Sequence, residues 1–330
     1  MKTYVILGGG GFVGVRLAQY LMDNFPDVRV VAIGRNPERP EAFAVPPRLR
    51  YGRYEYRQLH LVSQTDQVLA LLESERPSVI VNVAAQSEEA ASWTRSWRFF
   101  ETNTLALAKL VEPLIGRPWL SKWIQVGTAG VYGHPPGSVT EDRPLHPSTP
   151  YAVAKAAADW YLLSVSQVQR FPVNILRPSN LYGPGQHLHK IIPKAILCAL
   201  LGRTLALHGG GLASKSYLYV EDFARAISLV AEKGPPGKAY NCGSSDRVTV
   251  RDVVQLIFDK IGASFKELVQ VAPGRMGPDS ASSVDSSLIA ADLGWSPQIS
   301  LEKGVDETIA WAKLHLDFLK TQPSEFTFQA

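Results

Sequence analysis

The sequence predicts an α/β fold: a Rossmann-type doubly wound parallel sheet with a smaller C-terminal part that covers its ligand edge. Three observations carry this reading. An apolar run at residues 4–7 ends in four glycines, Gly8 to Gly11. Short, uniformly apolar runs then alternate with helical patterns, which marks parallel strands covered on both faces. After Pro178 that rhythm breaks, and proline and glycine become frequent.

The elements follow in order. Residues 12–22 have helical period, with Val13, Leu17, Tyr20 and Leu21 on one side. A second β-branched run spans 28–33. Residues 68–73 read as helix and 79–83 as a buried strand. A helix over 105–115 precedes a strand at 123–126. A long, alanine-rich helix covers 152–168, and 173–176 is one more strand. Beyond it lie shorter apolar pieces at 205–207 and 217–220 and helices at 223–231 and 250–261. This order predicts a dinucleotide-binding domain over 1–177 and a mainly substrate-binding part over 178–330, with some late segments rejoining the sheet.

Composition narrows the functional classes. The 330 residues are 45% hydrophobic and 19% charged, enough to build a core and exclude general disorder. The net charge of +4 is not clustered, which favours small anions and argues against nucleic acid. Cys198 and Cys242 make neither a disulfide framework nor a metal pattern. No run reaches the ~18 apolar residues of a membrane span, and the N-terminus has no signal-like core. The expectation is a cytoplasmic protein with no membrane partner and no metal.

Gly8, Gly11 and Gly14 have the spacing G-x-x-G-x-x-G between a strand and a helix. Such a loop makes a tight turn, lets a pyrophosphate approach the backbone, and packs the helix against the sheet. Phe12 and Val13 open that helix and belong to the same cofactor-binding segment. The second strand ends in Gly34-Arg35-Asn36, without the acid that would take the ribose hydroxyls of NAD. A guanidinium at Arg35, with Asn36 beside it, suits the 2′-phosphate of NADP. The expected cofactor is NADP, with NAD the other possibility.

Tyr151 and Lys155 lie one helical turn apart, on one face. A nearby ammonium favours a phenolate, so the pair predicts a tyrosine lowered from about 10 and usable as an acid/base.

At this point the chain resembles the extended short-chain dehydrogenase/reductases, the NAD(P)-dependent epimerase/dehydratases of nucleotide sugars. The resemblance covers roughly residues 3–315. It rests on the glycine loop, Asn82-Val83-Ala84-Ala85-Gln86, Asn103, Gly127-Thr128-Ala129-Gly130-Val131-Tyr132-Gly133, Pro150 to Lys155, Arg177 to Gln186, Tyr219 to Asp222, Tyr240 to Gly243 and Leu293 to Pro297. It implies that Thr128 hydrogen-bonds the reacting sugar oxygen, that Tyr151 is the acid/base and that Lys155 is its partner. Ala84, Ala85 and Asn103 fall at cofactor-side positions. Asn180, Lys215 and Arg275 fall at positions facing the nucleotide-sugar diphosphate. Lys215 stands where the family usually has arginine, and Pro278 replaces an acid, with Asp279 one place later.

The implied chemistry is hydride transfer at C4 of a nucleotide-linked hexose. Arg35 and the Gly183-Pro184-Gly185-Gln186 segment tip the expectation toward a 4-keto-sugar reductase. The alternative is a 4-epimerase with retained cofactor. A non-catalytic NADP-binding sensor ranks lower, because Thr128, Tyr151 and Lys155 are all present. The resemblance also implies an Asp-Glu pair after the threonine in 4,6-dehydratases. Here Ala129 and Gly130 follow, which disfavours dehydration, since elimination needs a titratable group. Glu88, Glu89 and Glu141 read as solvated loop charges. His187 and His189 read mainly as surface residues. Leu107, Leu110, Val111 and Leu114 form a stripe suited to a homodimer interface.

Overall fold

The computed structural model describes residues 1–134, 137–274 and 283–326. Six strands come from residues 1–178: β1 (Lys2–Leu7), β2 (Val28–Gly34), β3 (Tyr54–Gln58), β4 (Val79–Asn82), β5 (Lys122–Val126) and β6 (Val173–Pro178). Seven short ones follow among the described residues: β7 (Asn180–Tyr182), β8 (Leu205–His208), β9 (Ser214–Lys215), β10 (Tyr217–Tyr219), β11 (Ala239–Cys242), β12 (Val248–Thr249) and β13 (Val269–Ala272). The main sheet has the order β11-β6-β5-β4-β1-β2-β3, and every neighbouring pair is parallel. This is the doubly wound architecture expected from the alternating pattern.

Register decides where chemistry can occur. Leu7 pairs with Ile33 on one side and Asn82 on the other, and Asn82 pairs with Gln125. The carboxyl ends of β2, β1, β4 and β5 are therefore level. Gly8, Val83 and Gly127 leave the sheet side by side, beside Gly34 at the end of β2. In open α/β sheets this edge, where strand order reverses, is where ligands bind.

Helices α1 (Phe12–Asn24), α2 (Thr65–Glu75), α3 (Glu89–Ser92), α4 (Ser96–Phe100), α5 (Ala106–Val111) and α6 (Pro150–Gln169) cover the sheet or its edge, followed by α7 (Ile191–Leu201), α8 (Val220–Lys233) and α9 (Val250–Ile261). One face packs Leu17 and Leu21 of α1 with Phe223 and Ile227 of α8. The other packs α2, α5 and α6. The stripe proposed for a subunit interface lies here: Leu107, Leu110, Val111 and Leu114 are buried against the sheet of their own chain. Their burial, about 1.5–3 kcal/mol for each large side chain, stabilises the subunit itself. A third cluster joins α7, α9 and the helix Leu301–Leu314 into the C-terminal part.

Two departures from the sequence reading have clear causes. The helix expected over 105–115 is three pieces: a π-helical turn at Glu101–Leu105, then α5, then a 3₁₀ turn at Glu112–Leu114. Pro113 lacks the N–H that would continue the helix. The strand β3 has no apolar run, because it is the sheet's edge and its side chains are only partly covered. Among the described residues no helix is long and apolar enough to cross a membrane.

Candidate active site

The strand β5 ends in Val126, and the chain turns out through Gly127 to Thr128. Thr128 caps the 3₁₀ turn Ala129–Tyr132, its Oγ1 accepting the Gly130 N–H at 3.1 Å. Thr149 does the same for α6, accepting from Ala152 N at 3.1 Å, with Pro150 in the first turn. These two caps fix Tyr151 at the start of α6, with the Thr128 side chain close enough to act on its phenol. The Tyr151 ring sits edge-on to Phe99, centroids 6.2 Å apart.

One turn below, Lys155 is buried and donates from Nζ to the Val126 carbonyl at 2.5 Å. Burial lowers its ammonium to about 8, with Asp159 pulling the other way. Asp159 is itself buried and accepts from Arg177 Nε at 2.9 Å. Arg177 also donates to Tyr132 Oη at 2.6 Å, and Tyr132 donates to Asn241 Oδ1 at 2.9 Å. Burial pushes the Asp159 carboxyl up, and Arg177 and Lys155 counter it. This network ties α6 to β6 and β11 and holds the lysine from behind.

Tyr151 departs from the sequence expectation. Its phenol is pushed well above the ordinary value, first by burial and then by the Glu89 carboxylate, while the Thr128 side chain acts in the opposite direction. At neutral pH the phenol keeps its proton. The expectation of a lysine-lowered phenolate is corrected: desolvation outweighs the charge one turn away.

The glycine loop fits a dinucleotide. Gly8 has φ +83°, and a Cβ there would lie 2.6 Å from the Ala84 nitrogen. A Cβ on Gly14 would lie 2.6 Å from Gly9 Cα. Only glycine permits these approaches, and the loop's backbone is left open to a ligand. Gly11 and the start of α1, Phe12 and Val13, continue this cradle. Ala84 N donates to Asn82 Oδ1 at 3.1 Å, and Ala85 follows in the same loop. Asn103, turned inward by the π-helical turn, bonds both backbone groups of Gln86 at 2.9 and 3.0 Å. It therefore braces the loop after β4.

The end of β2 explains why the acid is missing. A Cβ on Gly34 would lie 2.2 Å from the Tyr56 hydroxyl, which reaches over from β3 and donates to the Asn36 carbonyl at 2.7 Å. The Tyr56 hydroxyl from the neighbouring strand fills the space that any side chain at Gly34 would need. Arg35 is half-buried, its guanidinium lowered by burial and then by the nearby Arg98.

The three carboxylates read as solvated charges are all engaged. Glu88 pairs with Lys190 at 2.6 Å and His189 at 3.2 Å. Despite burial, those partners hold it at about 2. Glu141 accepts the Asn241 N–H at 2.6 Å. Glu89 lies beside Thr128 and Gly130. His187 is exposed, as expected of a surface residue, and its ring stacks on that of His189 with centroids 5.5 Å apart. On the substrate side, Asn180 donates from Nδ2 to the Ser216 carbonyl at 3.0 Å, next to Lys215. Arg16 of α1 donates to the Pro184 carbonyl at 2.7 Å, linking the cofactor helix to the loop after β7. Arg275, Pro278 and Asp279 lie outside the described residues.

A family model described as the NAD dependent epimerase/dehydratase family matches residues 4–243. The chain belongs to that family. It is 31% identical over 327 residues to the dTDP-glucose 4,6-dehydratase of Streptomyces griseus, covering 96% of this chain and 95% of that one. The structure of dTDP-glucose 4,6-dehydratase from Bacillus anthracis in complex with NAD superposes with a TM-score of 0.87 at 27% identity, over 96% of this chain and 98% of that one. UDP-glucose 4-epimerase from Thermotoga maritima, solved with UDP-glucose, gives 0.85 at 26% identity, over 95% and 99%.

These likenesses correct two expectations. The family's description names NAD, and the Bacillus dehydratase was solved with it, so NADP is withdrawn. The relatives are dehydratases and epimerases, so the preference for a 4-keto-sugar reductase is withdrawn too. Dehydration is no longer disfavoured either: dTDP-glucose 4,6-dehydratases are among the relatives, and Glu88, Glu89 and Glu141 are not the solvated loop charges they were read as.

Proposed function

We propose that this enzyme uses retained NAD to oxidise C4 of a dTDP- or UDP-linked hexose and returns the electrons to the same sugar, yielding a 4-epimer. The observation that supports it most is the approach of Thr128, after β5, to Tyr151 at the start of α6, with Lys155 one turn below. The loop of Gly8, Gly11 and Gly14, with Phe12, Val13, Ala84 and Ala85, would hold NAD. The Tyr56 hydroxyl takes the polar position beside Gly34. When bound, the nicotinamide supplies the acceptor, and later the donor, of the C4 hydride.

The chain's own groups handle the proton on O4. Thr128 and Tyr151 present two hydroxyls to that oxygen. The raised phenol is a proton donor to a C4 alkoxide on the return step. Taking the O4 proton requires the phenol to have given up its own, and the Lys155 ammonium one turn below favours the ionised form against the burial that opposes it. Asn180, Lys215 and Arg275 are the proposed diphosphate contacts. A second reading, 4,6-dehydration, is favoured by the Glu89 carboxylate beside Thr128 and by the dehydratase relatives.

The experiment is incubation of the purified protein, with no added cofactor, with dTDP- and UDP-hexoses, followed by NMR of the products. A 4-epimer supports the main reading, a 4-keto-6-deoxy sugar supports the second, and unchanged sugars throughout overturn both. We also infer a homodimer, built through Phe100, Leu105, Val153 and Trp160, large apolar side chains left exposed on α4, the π-helical turn and α6. Sedimentation should show a dimer that Trp160→Glu converts to monomer. A monomeric wild type would refute it.

A further inference from the structure

Glu89 is the first residue of α3, in the segment that follows β4. A Cβ placed on Gly130 would lie 3.3 Å from Glu89 Oε1 and 3.4 Å from Thr128 Oγ1. The carboxylate and the hydroxyl thus border one small volume, kept open by a residue without a side chain. Ala129 and Gly130 bring no titratable atom to it. The Glu89 charge is near enough to Tyr151 to be the main cause, after burial, of its raised phenol. Glu88 is tied differently, to Lys190 and His189 of the loop before α7. So two adjacent carboxylates have separate surroundings, and Glu89 is the one that borders the site of the C4 oxygen.

We propose that Glu89 is a further catalytic residue: the base that removes a proton from a carbon next to the oxidised C4. This rests on the C4 oxidation proposed above. A ketone at C4 makes the neighbouring C–H bonds acidic. Glu89 Oε1 takes the proton, the C–H electron pair forms a double bond to C4, and the carbonyl pair moves onto O4. That oxygen is where Thr128 and Tyr151 place their hydroxyls, so the enolate charge develops against two donors. Return of the proton from the Glu89 carboxylic acid reverses the step. Where the proton left C5 and a hydroxyl is present at C6, the same acid can instead protonate that hydroxyl. The C6–O bond then breaks, a C5–C6 double bond forms and water leaves. No reagent beyond the sugar and the carboxylate is needed.

This arrangement also supplies a reason for Gly130. Any larger side chain there would fill the volume between the carboxylate and the threonine.

The test follows the holoenzyme with dTDP- and UDP-hexoses in D₂O. Two signals are read: absorbance of reduced nicotinamide, which reports C4 oxidation, and deuterium at C3 or C5 by NMR, which reports enolisation. Wild type should show both. Glu89→Gln should keep the absorbance change and lose deuterium incorporation at least 100-fold, and Glu89→Asp should restore part of it. The proposal is overturned by a Glu89→Gln variant that exchanges at the wild-type rate, or by a wild type that oxidises C4 without exchange. If reduced nicotinamide never forms in wild type, C4 oxidation itself fails and this step falls with it.

Discussion

Two loops leave the same edge of the sheet and are built in opposite ways. The β5 loop and the start of α6 carry Thr128, Tyr151 and Lys155, backed by the buried chain Asp159–Arg177–Tyr132–Asn241. Every group there is fixed from behind by strands of the sheet. The β4 loop carries Glu88 and Glu89 at the four-residue α3, held by a brace from Asn103 and by ion pairs to the loop before α7. The first is a rigid platform whose electrostatics are set by burial. The second draws its charges together across the cleft from separate parts of the chain. A site that must hold an oxygen still while it moves protons around a sugar ring has use for both.

The largest effect should come from the platform. Tyr151→Phe removes the proton carrier and keeps the ring against Phe99. Turnover on the accepted nucleotide sugar should fall about 10²–10⁴-fold, the usual share of general acid–base catalysis, with little change in NAD affinity. Steady-state kinetics beside a fluorescence titration check both halves. Loss of NAD binding would mean that the phenol is structural.

The platform's rear should fail through stability. Arg177→Leu leaves the Asp159 carboxylate buried with Lys155 as its remaining cation, and should cost about 3–5 kcal/mol in urea unfolding. Asp159→Leu together with Arg177→Leu should lose less than Arg177→Leu alone. Equal losses would show that packing, not charge, governs this position.

The β4 loop should respond to pH. Glu88 is held at about 2, below its ordinary 4.5, so its native partners favour the ionised form. The stability this contributes, about 1–2 kcal/mol, is whole above pH 4.5 and is lost as pH falls toward 2. Melting wild type and Glu88→Gln across that range should give curves that are separate at pH 6 and converge on acidification. Parallel curves would remove the ion pairs from the account.

The smallest effect belongs to the far end of the edge. Tyr56→Phe deletes the hydroxyl over Gly34 and should weaken NAD by about 0.5–1.5 kcal/mol. Unchanged affinity would assign Tyr56 to bracing Asn36 alone.

Much of the platform was legible in the sequence, because its signals are local. The strand–glycine–helix order and the Tyr151–Lys155 spacing both lie within a few residues of what they position. The missed features depend on segments far apart in the chain. Glu89, in the segment after β4, meets Gly130, in the segment after β5, and Tyr56 reaches Gly34 from an edge strand with no apolar run. Glu88 is engaged by Lys190, 102 residues away. Pattern along the chain cannot show such meetings, and loop acids are by default solvated. The missing acid at Gly34 misled for the same reason: what leaves no room for a side chain there is the Tyr56 hydroxyl, on another strand. The stripe Leu107–Leu110–Val111–Leu114 has the period of a buried face, but period does not say whether the sheet or a second subunit covers it.

The central claim is that electrons leave C4 and return to the same sugar. The direct measurement uses dTDP- or UDP-hexose carrying deuterium at C4, turned over by purified enzyme with no added nicotinamide. The account predicts that the product sugar retains the deuterium through many turnovers while the bound cofactor ends as it began. Loss of the label to solvent or to exchangeable cofactor, or a requirement for stoichiometric external nicotinamide, would contradict it.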